Sequence, residues 1–483
     1  MSYLKIFRNA CLMMTAGVYS MAALAQLAED EDVNQYGVRV NSYPLNAKAS
    51  NEILVLENKD KGYKFWMDNR IQVDGAHYFG LKNGMLDDVD SIPVMPGGIS
   101  LRRVRMAVKA IVNKDWYGEV DLNFSNGVFE LEDAYIQYNG LKGFQFQAGN
   151  FKEDFSMEET TTSRYTTFME RAMVVSCFAP GRHAGLQGQW QQFDFLRVSG
   201  GISWQLVDNA NTRFNVEEYN KIGKGMDPNY TGKVVFMPWG GEEFYGLHLG
   251  YNASFRGAKK TDDNFEDLEK PTGRGYQADY FSSRNATAVN RTKFIATDKD
   301  FVGVKHDILQ GFELAGYWNS VRFNGEYIMN KTVMDEKLLG SGATAQEKAD
   351  KHFYGFYAQA SYLLFGGKHR YDVTQSEFTQ PTRGQKWGDV EVMARYDFLS
   401  LNSGNIMGGS GQNYTFGVVY HANNNVKMMV NYQYSQNDRY ANNKNKAYVG
   451  LDKDGKPTKS AENVVSDIGV RFNTIQARIE IAF

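Results

Sequence analysis

The sequence predicts an all-β protein built as one closed, antiparallel transmembrane β-barrel with about 16 strands. Three observations predict this fold: a composition rich in aromatic residues and poor in proline, amphipathic runs of roughly ten residues, and a final run that ends in phenylalanine. A chain of 483 residues would otherwise suggest several soluble domains. One closed sheet, however, can use the whole chain.

The composition favours a barrel without proving it. Aromatic residues make up 14% of the chain, with 47 glycines against 9 prolines. No apolar run of about 18 residues follows residue 25, so no transmembrane helix is predicted. These properties fit a transmembrane barrel, and they also fit a secreted all-β protein.

The N-terminal segment has the pattern of a secretory signal peptide. Basic residues at Lys5 and Arg8 precede a weakly apolar centre and a small-residue ending at Ala25. This pattern predicts a signal peptide over residues 1–25 that is cleaved before Gln26. Its removal changes the formal charge from -3 to -5, since two basic residues are lost. The mature chain is therefore predicted to leave the cytoplasm.

Period-2 alternation follows an N-terminal extension. Residues 26–62 are polar and are predicted to form a periplasmic extension with one or two short strands, one of them ILVLE (53–57). The barrel is predicted over residues 63–483, from about 15 to 17 alternating runs whose boundaries between 256 and 310 stay open. In WYGEVDLNFS (116–125), for example, apolar residues and glycine alternate with polar ones.

The last run, TIQARIEIAF (474–483), alternates cleanly and ends at Phe483. A final amphipathic strand with a terminal phenylalanine is similar to the C-terminal assembly signal of bacterial outer-membrane proteins. Together with the signal peptide, it predicts the bacterial outer membrane as the location.

Signals for an enzyme are weak. The seven histidines show no zinc-ligand spacing, and the adjacent Glu158 and Glu159 point apart on an extended chain. With Cys11 in the signal peptide, Cys177 remains alone and no internal disulfide is predicted. The acidic segment TDDNFEDLE (261–269) fits a calcium loop less well than a solvated one. We therefore predict no enzyme, cofactor or metal; the alternative is a secreted β-sandwich that binds or cleaves glycans.

Basic residues in LRRVRMAVKAIV (101–112) suggest a polar lumen. Arg103, Arg105 and Lys109 alternate with apolar residues, and placing them in lipid would cost a few kcal/mol each. Rings of such residues select anions in pores. The alternative is that Glu119 and Asp121, on the next strand, neutralise them. Both interpretations stay open on these residues alone.

From about residue 52 onward, the sequence resembles the phosphate-selective porin O/P family of trimeric outer-membrane channels. The strongest segment is GNFKEDFSMEETTTSRYTTFMER (149–171), which is similar to the family's long third loop. The other similar segments are DNRIQVDG (68–75), LRRVRMAV (101–108), WGDVEVMARYDFLSL (387–401) and NYTFGVVYHANNNVKMMVNYQYS (413–435).

The resemblance implies that the third loop, residues 149–182, folds into the barrel and forms an anion-binding constriction with the wall. The constriction residues that it implies are Arg70, Arg102, Arg103, Lys152, Ser163 and Arg164, and the alternation of 101–112 adds Arg105 and Lys109. Asp133, in LEDAY, matches an acidic wall position more weakly.

The loop departs from the pattern of phosphate-specific members, which carry a lysine-rich loop. Residues 151–171 hold three basic and five acidic side chains, a net charge of -2. We therefore expect a porin for passive diffusion of small hydrophilic solutes, with an anion preference that extends to phosphate or other oxyanions. The alternatives are a general or sugar-type porin without phosphate specificity and a plugged barrel. The expected partners are small anionic or polar solutes, outer-membrane lipid and lipopolysaccharide, and two further copies of the chain in a homotrimer, with no nucleic acid.

Overall fold

A computed structural model of the chain gives the architecture. It describes residues 36–37, 42–83, 95–127, 129–205, 228–257, 281–297, 301, 303–337, 339, 342–438, 440, 450–454, 456–458, 463 and 469–483. The predicted signal peptide and the segment 261–269 lie outside the described residues.

Sixteen strands of the described chain form one closed antiparallel sheet, as the sequence predicts. Each strand pairs with the next, and the last pairs with the first, where Ala477 lies opposite Gly75. The strands are β1 (Tyr63–Asn83), β2 (Gly98–Val112), β3 (Trp116–Asn123), β4 (Glu130–Leu141), β5 (Phe144–Lys152), β6 (Arg182–Phe193), β7 (Leu196–Gln205), β8 (Asn229–Phe236), β9 (Tyr245–Gly257), β10 (Val304–Trp318), β11 (Val321–Met334), β12 (Lys351–Leu363), β13 (Asp389–Ser403), β14 (Ile406–His421), β15 (Val426–Asn437) and β16 (Val470–Ala482).

The two faces of the sheet are inverted relative to a soluble protein. On β16, Arg478 and Glu480 are each 2% exposed, whereas Ile479 between them is 55% exposed. A soluble sandwich would bury the isoleucine against a second sheet. An apolar outer face around a polar interior is the arrangement of a barrel in lipid. Among the described residues, no helix is both long enough and apolar enough to cross a bilayer.

Two short strands precede the barrel. Asn46–Ser50 and Ile53–Asn58 form a hairpin, and its second strand pairs with the start of β1, with Val55 opposite Trp66. This hairpin extends the sheet beyond the C-terminal end of β16.

Several connections between strands carry further helices or short strand pairs. The β5–β6 connection holds α1 (Met157–Thr160) and α2 (Met173–Phe178). The β9–β10 connection holds the pair Ser282–Ser283 and Ile295–Ala296, and the β12–β13 connection holds the pair Tyr371–Asp372 and Glu377–Phe378. The remaining short elements are a 3-10 turn (Ser125–Gly127), α3 (Ala345–Lys348) and the pair Gly450–Leu451 and Pro457–Thr458.

A buried apolar cluster joins two of these connections to inward-facing residues of the wall. Phe155, Met173, Val174 and Phe178 come from the β5–β6 connection, and Phe281 and Phe294 come from the β9–β10 connection. They pack with Phe353 of β12 and Phe472 of β16, and all eight side chains are nearly inaccessible to solvent. The apolar contacts hold both connections against the wall, since burying such side chains is worth roughly 1.5–3 kcal/mol each.

Candidate functional site

The backbone of β2 explains how two consecutive arginines reach the same region. Gln72 of β1 lies opposite Arg103, and the next residue, Val73, lies opposite Leu101. Arg102 is therefore the extra residue of a β-bulge, and a bulge redirects side chains that strict alternation would send to opposite faces. Alternation alone predicts Arg103, Arg105 and Lys109 on the inner face but would place Arg102 outside.

Glu170 is the acidic partner of this arginine pair. Arg102 donates two hydrogen bonds to its carboxylate, at 2.7 and 3.0 Å, and Arg478 donates a third at 3.1 Å. Burial opposes ionisation of Glu170, but the neighbouring arginines outweigh it and hold its pKa well below the usual range. Glu170 therefore favours its charged form and fixes the β5–β6 connection to β2 and β16.

Arg478 also crosses the seam where the barrel closes. Its guanidinium donates hydrogen bonds of 2.6 and 2.7 Å to the Asp74 carboxylate on β1 and one of 2.8 Å to the Met169 carbonyl. Asp74 is fully buried, so this two-bond pairing supplies the compensation that a buried charge needs.

Other wall side chains hold the same connection at further points. Arg70 donates to the Ser163 hydroxyl at 2.7 Å, and Arg395 donates to the Glu170 carbonyl at 2.8 Å. Arg322 donates to the Thr167 hydroxyl. Side chains of β1, β11, β13 and β16 therefore contact residues 163–170 from several sides.

One cavity in this region, of about 330 Å³, carries an excess of positive charge, and we name it the basic cavity. Its basic lining residues are Arg102, Arg103, Arg171, Arg284 and Lys293. Its acidic lining residues are Glu159 and Glu170, which leaves a formal charge of +3. Arg171 pairs with Glu159 at 3.1 Å. Burial lowers the pKa of Arg284, and the adjacent Arg291 adds to the effect.

A second cavity, of about 230 Å³, carries equal numbers of both charges, and we name it the balanced cavity. Its basic lining residues are Arg70, Arg105, Lys109, Lys152, Arg182 and Arg197. Its acidic lining residues are Asp68, Glu119, Asp121, Asp133, Asp154 and Glu377. Ser163 lines both cavities, so they meet at this residue.

Charges in the balanced cavity are paired with one another. Lys109 lies 3.4 Å from Asp68 and 3.3 Å from Glu119. Arg105 lies 3.4 Å from Asp121 and also bonds to Glu132. The sequence left open whether acidic residues of the next strand neutralise Arg105 and Lys109. In the structure, both residues have carboxylate partners, including Asp121 and Glu119.

The other predicted residues of this cavity are also engaged. Arg182 donates to both carboxylate oxygens of Asp133, at 2.9 and 2.7 Å. Lys152 donates to the Glu159 carbonyl at 2.6 Å, so its ammonium group caps the C-terminal end of α1. Burial raises the pKa of Glu377 to about 7, although the charge of Lys152 opposes the shift.

The structure distributes the nine predicted residues over two adjoining cavities, with one residue outside both. Arg102 and Arg103 line the basic cavity, Ser163 lines both cavities, and Arg164 lines neither of them, since it bonds to the Asn424 carbonyl at 3.0 Å. The remaining members line the balanced cavity: Arg70, Arg105, Lys109, Lys152 and Asp133. In the strand register, Arg70 lies directly opposite Arg105, and Gln72, two residues further along β1, lies opposite Arg103.

Sequence reasoning did not assign several charged residues to the site. Five of them are Glu170, Arg182, Arg284, Lys293 and Arg478. The alternation of β16 places Arg478 on the polar face, but it does not identify Asp74 or Glu170 as partners. The other four lie in connections or at a strand end, where period-2 alternation gives no signal.

Comparison with known proteins gives one family match. Residues 83–455 match the profile of the family described as phosphate-selective porin O and P. Porin O of Pseudomonas aeruginosa is 24% identical over 416 residues, covering 81% of this chain and 87% of that protein. An uncharacterized protein of Caulobacter vibrioides is 22% identical over 383 residues, covering 76% of this chain and 70% of that protein. Among solved structures, the anion-selective porin from Comamonas acidovorans superposes with a TM-score of 0.47 at 10% identity, covering 87% of this chain and all of that one.

Proposed function

Because this chain belongs to the phosphate-selective porin O and P family and is therefore an outer-membrane porin, we propose that small hydrophilic solutes diffuse through it passively, with a preference for anions. The observation that carries this proposal is the basic cavity, where five cationic side chains face two carboxylates. An excess of fixed positive charge in a narrow, low-dielectric passage raises the local concentration of anions.

In this proposal the route runs from the basic cavity past Ser163 into the balanced cavity. Residues 153–178 narrow the route, since wall side chains from several strands bond to them. The basic cavity is the entrance side. Its Arg102 and Arg103 lie four and five residues after Gly98, where β2 begins, and the strand ends that flank long connections of bacterial barrels are extracellular.

The proposal treats phosphate as one permeant among other anions. The basic cavity favours anions in general, since only two of its seven charged residues are acidic. The segment 151–171, however, has a net charge of -2, which does not favour a filter specific for phosphate. A homotrimer in outer-membrane lipid and lipopolysaccharide is part of the proposal, with the apolar outer faces of the strands as the surface available for both contacts.

Reversal potentials in a KCl gradient test the anion preference. The purified protein, reconstituted in planar bilayers, should be anion-selective. Arg103→Ala should lower the chloride-to-potassium permeability ratio about two- to threefold, the combined effect on both ions of one charge roughly 8 Å away through water that contains about 0.1 M salt. Arg370→Ala is the matched control, because Arg370 is an exposed residue paired with Glu243 outside both cavities. Cation selectivity, or an Arg103→Ala ratio equal to that of the control, would overturn the proposal.

A general or sugar-type porin is the second candidate, and the neutral balanced cavity favours it. Block of the chloride current by inorganic phosphate separates the two. Half-block at micromolar phosphate indicates a phosphate-specific filter, and half-block only at millimolar phosphate indicates a general one.

A further inference from the structure

One wall of the balanced cavity is covered by glutamine side chains. The segments FQFQ (144–147) and LQGQWQQ (186–192) alternate glutamine with residues that point outward, such as Phe146 and Leu186, which are 47% and 54% exposed. The glutamines that line the cavity from β4, β5 and β6 are Gln137, Gln145, Gln147, Gln187 and Gln189.

The strand register makes these glutamines neighbours. Gln147 lies opposite Gln137 on one side and Gln187 on the other, and Gln145 lies opposite Gln189. Directly opposed residues in an antiparallel sheet have Cβ atoms roughly 4.5–5.5 Å apart. The five side chains therefore form one continuous amide surface, which we name the glutamine wall.

Part of the glutamine wall has unused hydrogen-bonding capacity. Gln189 is engaged, since it donates to the Thr374 carbonyl at 3.0 Å and accepts from Arg197 at 2.7 Å. Gln145, Gln147 and Gln187 make no side-chain hydrogen bond to any described residue and face open space. Each amide offers two donors and one carbonyl acceptor.

The charges around this wall leave little net attraction for an ion. The basic and acidic residues of the balanced cavity are equal in number, and Lys109, Arg105 and Arg182 each have carboxylate partners. A solute in this cavity is therefore recognised by hydrogen bonds instead of net charge. A bare oxyanion at neutral pH accepts more bonds than it donates and leaves the amide carbonyls unmatched. A hydroxyl group both donates and accepts, so it matches the whole amide.

We propose, building on the anion preference above, that the preferred permeant is a polyhydroxylated organic anion, namely a sugar that carries a phosphate or carboxylate group. The basic cavity attracts its charge, and the glutamine wall binds its hydroxyl groups as it passes Ser163. The balanced cavity, with a volume of about 230 Å³, has room for a sugar ring, because one water molecule needs only roughly 10–15 Å³.

Block of the chloride current by three probes tests this inference in reconstituted channels. The probes are glucose 6-phosphate, inorganic phosphate and glucose. The unmodified protein should be half-blocked by glucose 6-phosphate at a concentration about tenfold below that of inorganic phosphate, the effect of one or two extra neutral hydrogen bonds. Glucose should block more weakly than glucose 6-phosphate, because the basic cavity does not attract it.

The variant Gln147→Ala/Gln187→Ala removes two opposed amides from the wall. It should raise the half-blocking concentration of glucose 6-phosphate about fivefold or more and leave that of inorganic phosphate unchanged. The matched control is Gln412→Ala/Gln436→Ala. These two glutamines bond to each other at 2.7 Å on the outer face, since their neighbours Asn413 and Asn437 are buried inside. Heat-modifiable migration on a gel checks that each variant folds.

The outcomes separate this inference from the proposed function. An anion-selective channel that inorganic phosphate blocks as well as glucose 6-phosphate overturns the sugar-anion inference alone. Equal effects of the glutamine-wall variant on both blockers overturn it as well. A cation-selective channel overturns the proposed function and this inference together. The probe comparison on the unmodified protein decides the question even if the variant fails to fold.

Discussion

The basic and balanced cavities meet at Ser163 and draw arginines from the same strand, yet they differ in charge. Arg103 and Arg105 are two residues apart on β2. Arg103 donates to the neutral amide of Gln72 at 2.8 Å, whereas Arg105 bonds to Asp121 and Glu132. The charge of Arg105 is therefore neutralised by carboxylates bonded to it, whereas Arg103 is bonded to an uncharged amide and keeps its positive charge toward the cavity.

The largest expected effect comes from removing Arg478, whose bonds to Asp74 and Glu170 support the basic cavity. Arg478→Met should lower the free energy of unfolding by about 3–5 kcal/mol, because the buried Asp74 carboxylate loses its partner. Guanidinium unfolding of the detergent-solubilised protein measures it. Arg370→Met, which breaks an exposed pair with Glu243, should cost less than about 1 kcal/mol. An equal loss of unfolding free energy in both variants would show that the bonds of Arg478 do not stabilise the barrel.

An intermediate effect is expected from replacing Arg284, which lines the basic cavity and not the balanced cavity. Arg284→Ala should reduce the chloride-to-potassium permeability ratio about two- to threefold, because one of five cations is lost from a cavity whose charge is unbalanced. Lys348→Ala, on the exposed helix α3, is the control and should leave the ratio unchanged. A ratio unchanged by Arg284→Ala as well would mean that ions do not sense this cavity.

The smallest effect is a pH dependence that distinguishes the balanced cavity. The pKa of Glu377 is raised to about 7, so its carboxyl is mostly neutral at pH 6 and mostly ionised at pH 8. Protonation gives the cavity a charge of +1, and the chloride-to-potassium permeability ratio should therefore fall by up to about twofold between pH 6 and pH 8.

Glu377→Gln should reduce this dependence, and Lys152, whose ammonium group lines the same cavity and interacts with Glu377, accounts for what remains. His369, in the same β12–β13 connection, does not contribute in this range, because burial lowers its pKa to about 4 and it stays neutral. A dependence of the same size in Glu377→Gln would assign the titration to another group.

The sequence predicted the wall of this molecule better than its interior. Alternation follows directly from the pleat, so the sixteen strands and the inward direction of Arg103, Arg105 and Lys109 could be predicted. The charge of each cavity could not, because it depends on pairings across the fold. Glu170 lies 68 residues from Arg102 and 308 from Arg478.

Local irregularity limited the prediction in a different way. Arg102 reaches the basic cavity only because β2 has an extra residue opposite β1, and no period-2 pattern contains that information. The long connections also could not be predicted, since packing against the wall places Arg284 and Glu377, and alternation does not.

The contacts of Arg478 have a consequence for the order of assembly. Its partners are Asp74 on the first strand of the barrel and Met169 and Glu170 in the β5–β6 connection, while Arg478 itself is on the last strand. These bonds cannot exist before β16 meets β1. The bonds that hold Met169 and Glu170 to the last strand therefore belong to the same side chain that locks the seam of the cylinder, so closure of the sheet and fixation of the β5–β6 connection are coupled.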